Sequence, residues 1–300
     1  MQLTVRNILA STALLSALAL ALPAHAAEAN MGGGRCSQNA YNCADAPNPL
    51  PRVDTVWLDE MTWMDVRDAI ASGTKTIIIP TGGVEPNGPW VVLGKHNFVL
   101  KTTCDVIARK LGDALCAPVV GFVPEGDLKT RTGHMDTPGT ISIAEETYEA
   151  VIADIARSMK ISGFEHIIFI SDNGGSHLKG EAKVAEMLNA EWGAPIAHYI
   201  PEYYASWDAA DHVFWDRGLA KKGVTDGIHD DPSVTTLLMV GNPEWVRWKE
   251  RVDIGKATIN GVSIADKDQA IEWGHELAEA RAEPTVAAIR KAIAGAADPQ

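Results

Sequence analysis

Apolar runs that alternate with helix-length amphipathic stretches are the feature that most constrains the fold of this chain. Each run has the length of a buried strand, and the stretch between two runs has helical spacing. The predicted strands cover residues 76–80, 114–123, 166–170 and 195–200, and the predicted helices cover residues 61–72, 97–111, 143–162 and 180–192. This β-α-β-α order predicts a three-layer α/β sandwich, in which helices flank a mostly parallel central sheet. The Ala- and Glu-rich tail at residues 264–294 is predicted to be helical, with an interruption at Pro284.

The first 26 residues have the pattern of a secretory signal peptide. A short basic start is followed by an Ala/Leu run from Ile8 to Leu22 and by a small-x-small segment that ends at Ala26. The apolar run is short for a membrane span, which favours cleavage over a retained anchor. We therefore expect a periplasmic or secreted protein with no membrane segment in its mature form. The rest divides into an irregular N-terminal arm at residues 27–55 and one domain at residues 56–300.

Charge and cysteine content narrow the functional classes further. The chain carries 39 acidic and 26 basic residues, for a formal net charge of −13. An acidic chain without a basic run is a poor candidate for binding nucleic acid or an anionic membrane. In an oxidising compartment, Cys36 and Cys43 are expected to form a local disulfide. For Cys104 and Cys116, a second disulfide and two buried free thiols are equally compatible with the sequence.

A Gly-rich loop after the first predicted strand carries side chains that suit a metal ion. Glu85 and His96 lie in the segment that follows residues 76–80. In open α/β sheets, functional sites form at the edge where strands deliver such loops. Carboxylate and imidazole groups bind Zn or Mn, although Glu85 could also serve as a turn carboxylate and His96 as a helix cap or surface histidine.

Four segments, in chain order, share their pattern with the motifs of one enzyme family. The matching positions are Glu85, Gly88, Pro89 and Leu93; the segment Gly133–Ser142; the segment Ser171–Ser176; and Asp226 with His229, followed by a Thr-Thr-Leu-Leu-Met run at 235–239. In these motifs the chain resembles the creatininase (creatinine amidohydrolase) family, over residues from about 76 to about 240. The resemblance implies the α/β sandwich, a metal-dependent hydrolase of small cyclic amides and a compact homo-oligomer such as a hexamer.

The departures from the family pattern fall on its metal ligands. Glu85 is retained, but Asn87 stands where the family has its first His, His96 where it has an Asp, and Asn173 where the third motif has a His. An imidazole bridges two metals poorly, so the usual two-metal site is not expected. We expect one divalent ion per subunit, Zn in the first instance and Mn as the alternative.

The resemblance assigns roles to particular residues. Glu85, His96 and Asp172 are the predicted metal ligands, although Asp172 could instead cap the helix that follows Gly175. By resemblance, His229 is the predicted proton-transfer residue, with Asp226 beside it. The predicted substrate contacts are His134, Trp90 and Asn173. Glu125 and Asp127 lie just upstream of the second motif, and the sequence does not decide whether they belong to the site.

Together these features favour a hydrolase that uses a metal-activated water on a small non-peptide substrate, such as a cyclic amide, lactam or lactone. Creatinine itself is disfavoured, because the first and third motifs are both rewritten around the metal position. A catalytically inactive periplasmic binding protein on the same fold is one alternative. A metal-dependent lyase or isomerase is another.

Overall fold

The computed structural model describes residues 32–222 and 229–297, which form two compact units divided after Leu50. In the first unit, Asn39 caps a short 3-10 turn at Ala40–Asn42, and Cys36 is bonded to Cys43. The predicted local disulfide is therefore confirmed. The predicted signal peptide lies outside the described residues, and export stays a prediction.

The second unit is built on a sheet of four parallel strands in the order β2-β1-β3-β4. The strands are β1 (Thr76–Thr81), β2 (Ala114–Cys116), β3 (His166–Ser171) and β4 (Ala197–Tyr199). β1 is buried along its whole length and β3 in all but its first residue. Strands of a parallel sheet are covered on both faces, which explains why they read as continuous apolar runs.

The described chain adds nine α-helices, and those that pack against the sheet complete the predicted three-layer α/β sandwich. The nine are α1 (Trp63–Ala71), α2 (Lys95–Leu111), α3 (Glu145–Ser162), α4 (His177–Trp192), α5 (Pro201–Ala205), α6 (Trp207–Trp215), α7 (Pro232–Gly241), α8 (Trp248–Asp253) and α9 (Lys267–Ala297). A hairpin of β5 (Thr258–Ile259) and β6 (Val262–Ser263) precedes α9. No described helix combines the length and the apolar character that a membrane crossing requires.

Two hydrophobic clusters hold these elements together. The larger one contains the sheet and the helices that contact it, and the other lies among α2, α6, α7, α9 and the hairpin. Cys104 of α2 and Cys116 of β2 are fully buried in the larger cluster and form a disulfide, which resolves the alternative left open by the sequence. A helix and its neighbouring strand are thus covalently joined.

Two predicted boundaries were wrong, each at a proline. The strand predicted at residues 114–123 ends at Cys116, because Pro118 has no N–H to continue the hydrogen-bond ladder. Beyond it, Val120 forms an isolated β-bridge with Thr81. Conversely, Pro284 does not interrupt α9, which continues through it. Packing of α9 against α2, α6 and α7 compensates for the hydrogen bond that the proline cannot donate.

Candidate active site

The site lies where the two central strands end. β1 and β3 pair in register as far as Thr81 and Ser171, so the loops that follow them leave the same edge of the sheet. The first loop passes close to Glu125 and Asn173 at Gly83, which has φ of 156°: a Cβ there would collide with Oε1 of Glu125 and with the amide nitrogen of Asn173. The backbone N–H of Glu85 donates to Leu93 O at 3.1 Å, which closes the loop.

Glu85 is the centre of the site, and positively charged or hydrogen-bonding groups surround its buried carboxylate. Oε1 lies 2.7 Å from Nε2 of His96 and 3.1 Å from Nζ of Lys95, while Oε2 lies 3.2 Å from Nε2 of His134. Burial favours the neutral acid, but the hydrogen bond from His96 and the charges of His96 and Lys95 outweigh it. The pKa of Glu85 is therefore held far below its usual value, and the side chain is ionised.

His96 connects Glu85 to a second buried carboxylate. Its Nδ1 lies 2.8 Å from Oδ2 of Asp172, whose Oδ1 accepts hydrogen bonds from Arg281 at 2.8 Å and from Tyr203 at 3.3 Å. Burial and the nearby Lys95 charge oppose a proton on His96, yet the hydrogen bonds to Asp172 and Glu85 raise its pKa. Despite its burial, Asp172 has a lowered pKa because of Arg281 and His96. Each ring nitrogen of His96 thus faces a carboxylate oxygen, and the two carboxylates together favour the protonated imidazole.

A third carboxylate and a second histidine meet the opposite oxygen of Glu85. Ligand atoms of Glu85, Glu125 and His134 all lie within 4.8 Å of one another, as expected for side chains that hold a metal ion. Oε1 of Glu125 accepts a hydrogen bond of 2.6 Å from the amide of Asn173. Burial and the charge of Glu85 raise the pKa of Glu125 to about 7. This cluster therefore concentrates negative charge that a cation would neutralise.

His229 approaches the same region from the far end of the chain. Its Nδ1 lies 3.0 Å from the carbonyl oxygen of Pro86, which accepts hydrogen bonds only, so Nδ1 carries the proton and, in the neutral ring, Nε2 carries the lone pair. Burial and the charge of Lys95 lower the pKa of His229, which keeps the imidazole neutral near pH 7. The rings of His134 and His229 lie 5.7 Å apart. Asp226, predicted beside it, lies outside the described residues.

A cavity of about 380 Å³ opens onto these groups. The lining combines the charged cluster with an apolar wall that includes Tyr204, Trp207 and Val234. This volume suits a small molecule and is at the lower end of ordinary ligand pockets. Trp90, a predicted substrate contact, is not part of this lining; its ring lies 5.7 Å from the guanidinium of Arg251. A pocket of this kind recognises a compact substrate that has both polar and apolar surface.

The structure thus brings together six of the predicted site residues: Glu85, His96, His134, Asp172, Asn173 and His229. It also adds Lys95 and Arg281, which the sequence analysis did not identify. Lys95 was adjacent to a candidate ligand, but no sequence signal distinguishes a buried lysine from an exposed one. Arg281 lies in the tail helix, 109 residues from its partner Asp172, and only the packing of α9 brings them together.

Comparison with known proteins identifies the same family along most of the chain. The family model described as creatinine amidohydrolase matches residues 59–289. Creatinine amidohydrolase of Pseudomonas putida is 23% identical over 117 residues, which are 39% of this chain and 44% of that protein. The 3-dehydro-scyllo-inosose hydrolase of Thermotoga maritima is 24% identical over 126 residues, which are 42% of this chain and 38% of that protein. The chain therefore spans less than half the length of these curated relatives.

Solved structures of low sequence identity share the fold. A crystal structure of creatininase has a TM-score of 0.59 at 18% identity, covering 80% of this chain and 98% of that one. A creatininase in an Mn form has a TM-score of 0.58 at 20% identity, covering 79% and 98%. A mutant creatininase of Zn–Zn type has a TM-score of 0.58 at 18% identity, covering 80% and 98%. The three-layer sandwich is thus an established creatininase architecture.

Proposed function

Because this chain belongs to the creatininase family, we propose that it is a metal-dependent hydrolase acting on a small non-peptide substrate. Both curated relatives are named as hydrolases. The substrate class that we propose is a cyclic amide, lactam or lactone, whose compact ring suits a cavity of about 380 Å³. Export to the periplasm or the medium and assembly into a homo-oligomer stay predictions of the sequence.

The observation that carries the proposal is the convergence of Glu85, Glu125 and His134. Their ligand atoms lie within 4.8 Å of one another and supply two carboxylates and an imidazole. Three protein ligands of these types, with a position left for water, are the usual donor set of a catalytic Zn, and Mn accepts the same groups. When bound, such a cation polarises a substrate carbonyl and makes water more acidic.

Glu125 and His134 replace part of the ligand set expected from the sequence. The ligand roles predicted for His96 and Asp172 stay predictions, but both nitrogens of His96 already lie within hydrogen-bond distance of carboxylate oxygens. Asp172 is in turn neutralised by Arg281 at 2.8 Å. These contacts favour a supporting role, in which His96 and Asp172 orient Glu85 and keep it ionised. Partners of this kind commonly change metal affinity or activity by about 10- to 100-fold when they are removed.

Within the described residues, His229 is the side chain best suited to move a proton. It is neutral, its Nδ1 is fixed by the carbonyl of Pro86, and it lines the cavity. We infer that Nε2 takes a proton from the attacking water and delivers it to the leaving nitrogen or oxygen. This transfer needs a base whose pKa lies near or below the working pH, which its burial provides.

The test separates metal binding from proton transfer. Glu125→Gln and His134→Asn are expected to lose bound metal, measured as ions per chain by elemental analysis after reconstitution with Zn or Mn. His229→Asn is expected to keep the metal and to lose about 100- to 10,000-fold in turnover. His212→Asn, at an exposed histidine of α6, is the matched control and is expected to change neither.

Three results would count against this function. A wild-type chain that takes up no ion favours the inactive binding protein. Loss of metal in His229→Asn would make His229 a ligand. Turnover of a cyclic substrate without incorporation of solvent oxygen into the product would indicate a lyase or isomerase.

A further inference from the structure

Lys95 is a buried lysine at the centre of the site. Its side chain is 3% exposed, its Nζ lies 3.1 Å from Oε1 of Glu85, and it lines the same cavity as His134 and His229. Among the described residues, Lys95 forms its ion pair with Glu85. An ammonium group removed from water requires a nearby counter-charge. Lys95 therefore contributes a buried positive charge to the site and is not a surface lysine.

The two oxygens of Glu85 face different kinds of groups. Oε2 faces His134, and Glu125 lies close to both. Oε1 faces Nζ of Lys95 at 3.1 Å and Nε2 of His96 at 2.7 Å. One side of the carboxylate is thus open to a cation, and the other side is already occupied by the ammonium of Lys95 and the imidazole of His96.

We propose that the Lys95 ammonium takes the place of a second divalent cation, so that this centre binds one ion, on the Oε2 side of Glu85, and excludes another on the Oε1 side. This inference rests on the proposed function, since it needs the first ion. A structural neighbour is of Zn–Zn type, whereas here a covalently attached charge replaces one of the two ions.

The side chains around Oε1 leave a second ion few donors. Both nitrogens of His96 already lie within hydrogen-bond distance of carboxylate oxygens, and Asp172 contacts both His96 and Arg281. The side-chain nitrogen of Asn87 donates to the carbonyl oxygens of Glu85 and Val92, at 2.8 and 3.0 Å. A second divalent cation would also be repelled by the ammonium, at a separation where screening by water is weak.

The test measures Zn stoichiometry and affinity by calorimetry and elemental analysis, on the full chain and two variants. The wild type is expected to bind one ion. Lys95→Met keeps an unbranched side chain as far as Cε and removes the charge, so Zn is expected to bind about tenfold more tightly or better. Lys95→Glu puts an oxygen donor where the ammonium stood, and it is expected to bind two ions. Lys101→Met is the matched control, at a lysine of α2 that is 36% exposed, and should behave as the wild type.

Each outcome decides between the two proposals. Two ions in the wild type overturn the role of Lys95 and leave the metal-dependent function standing. No ion in the wild type overturns the proposed function and this inference with it. One ion in the wild type, combined with unchanged Zn affinity in Lys95→Met, shows that the ammonium is only a structural counter-ion. If circular dichroism shows that Lys95→Glu does not fold, the Zn affinity of Lys95→Met alone tests the role of Lys95.

Discussion

Glu85 and Glu181 are two buried glutamates near the same end of β1, and their pKa values are shifted in opposite directions. Glu85 is surrounded by Lys95 and His96, which keep it ionised. Glu181 of α4 accepts hydrogen bonds from the hydroxyls of Thr81 and Tyr148, at 2.5 and 2.8 Å, and no described residue bonds to its Oε2. Burial outweighs these two bonds and raises the pKa of Glu181 to about 7. The charge of the neighbours, and not burial alone, decides whether a buried carboxyl is ionised.

The largest effect is expected from removing the charge of Glu85. Glu85→Gln leaves the buried charge of Lys95 without its counter-ion, whereas His96 keeps Asp172. Breaking a buried ion pair in this way costs about 3–5 kcal/mol of unfolding free energy. Urea denaturation of the metal-free protein at pH 8 measures it. Glu186→Gln, at an exposed glutamate of α4, is the matched control and is expected to stay within about 0.5 kcal/mol of the wild type.

This result would also test the assigned charge state. A Glu85→Gln variant as stable as Glu186→Gln would mean that the carboxylate and its cations do not stabilise one another. In that case the two buried glutamates would not differ in the way the structure indicates.

The next effect has the opposite sign. The pKa of Glu181 rises from 4.5 to about 7 on folding, so the folded state binds its proton more tightly than the unfolded state does. Its contribution to stability is fully present below pH 4.5 and is lost as the pH rises through 7. The shift corresponds to about 3 kcal/mol. Glu181→Gln keeps the two acceptor contacts and cannot ionise, so it should be more stable than the wild type at pH 8 and similar to it at pH 4.

The measurement is the difference in unfolding free energy between wild type and variant across pH 4–8. Taking the difference removes the titration of groups that the substitution does not touch, such as Glu125. Glu186→Gln again serves as the control and should give a flat difference. A flat difference for Glu181→Gln as well would show that Glu181 has an ordinary pKa in the folded chain.

The two glutamates also show which features could be predicted from the sequence. Strands β1 and β3, their parallel pairing and the position of Glu85 at the sheet edge follow from short-range periodicity and from a loop motif. His229 was placed near Glu85 by resemblance, and the structure brings Nδ1 of His229 to 3.7 Å from Oε1. Patterns within a few residues, and motifs in order, were sufficient for these features.

Charge states were beyond the sequence, because they depend on contacts between distant residues. Glu181 lies 100 residues from Thr81, and Asp172 lies 109 residues from Arg281. Lys95 begins α2 directly after the N-cap Gly94, and nothing in that local pattern indicates its buried ion pair with Glu85. The continuity of α9 through Pro284 has the same origin, since tertiary packing outweighs a local preference. Sequence patterns locate a site of this kind, but its electrostatics require the folded chain.

The smallest effect concerns one hydrogen bond in the neutral cluster. Tyr148 is fully buried and donates to Oε1 of Glu181 at 2.8 Å. Tyr148→Phe keeps the ring and removes the donor, which costs about 1 kcal/mol at pH 5, where Glu181 is neutral. The cost should be larger at pH 8, because a bond to an ionised carboxylate is stronger.

The same substitution should raise the pKa of Glu181, so that the associated loss of stability occurs at higher pH. The hydroxyl of Tyr148 helps to lower the pKa of Glu181 against the larger effect of burial, so its removal leaves the carboxyl still harder to ionise. Urea denaturation of Tyr148→Phe at pH 5 and pH 8 measures both effects, with Tyr41→Phe as the control at a tyrosine that is 60% exposed. An equal loss of unfolding free energy at the two pH values would show that the hydrogen bond from Tyr148 does not depend on the charge of Glu181. Hydrogen-bond partners would then determine the charge state of Glu85 but not that of Glu181.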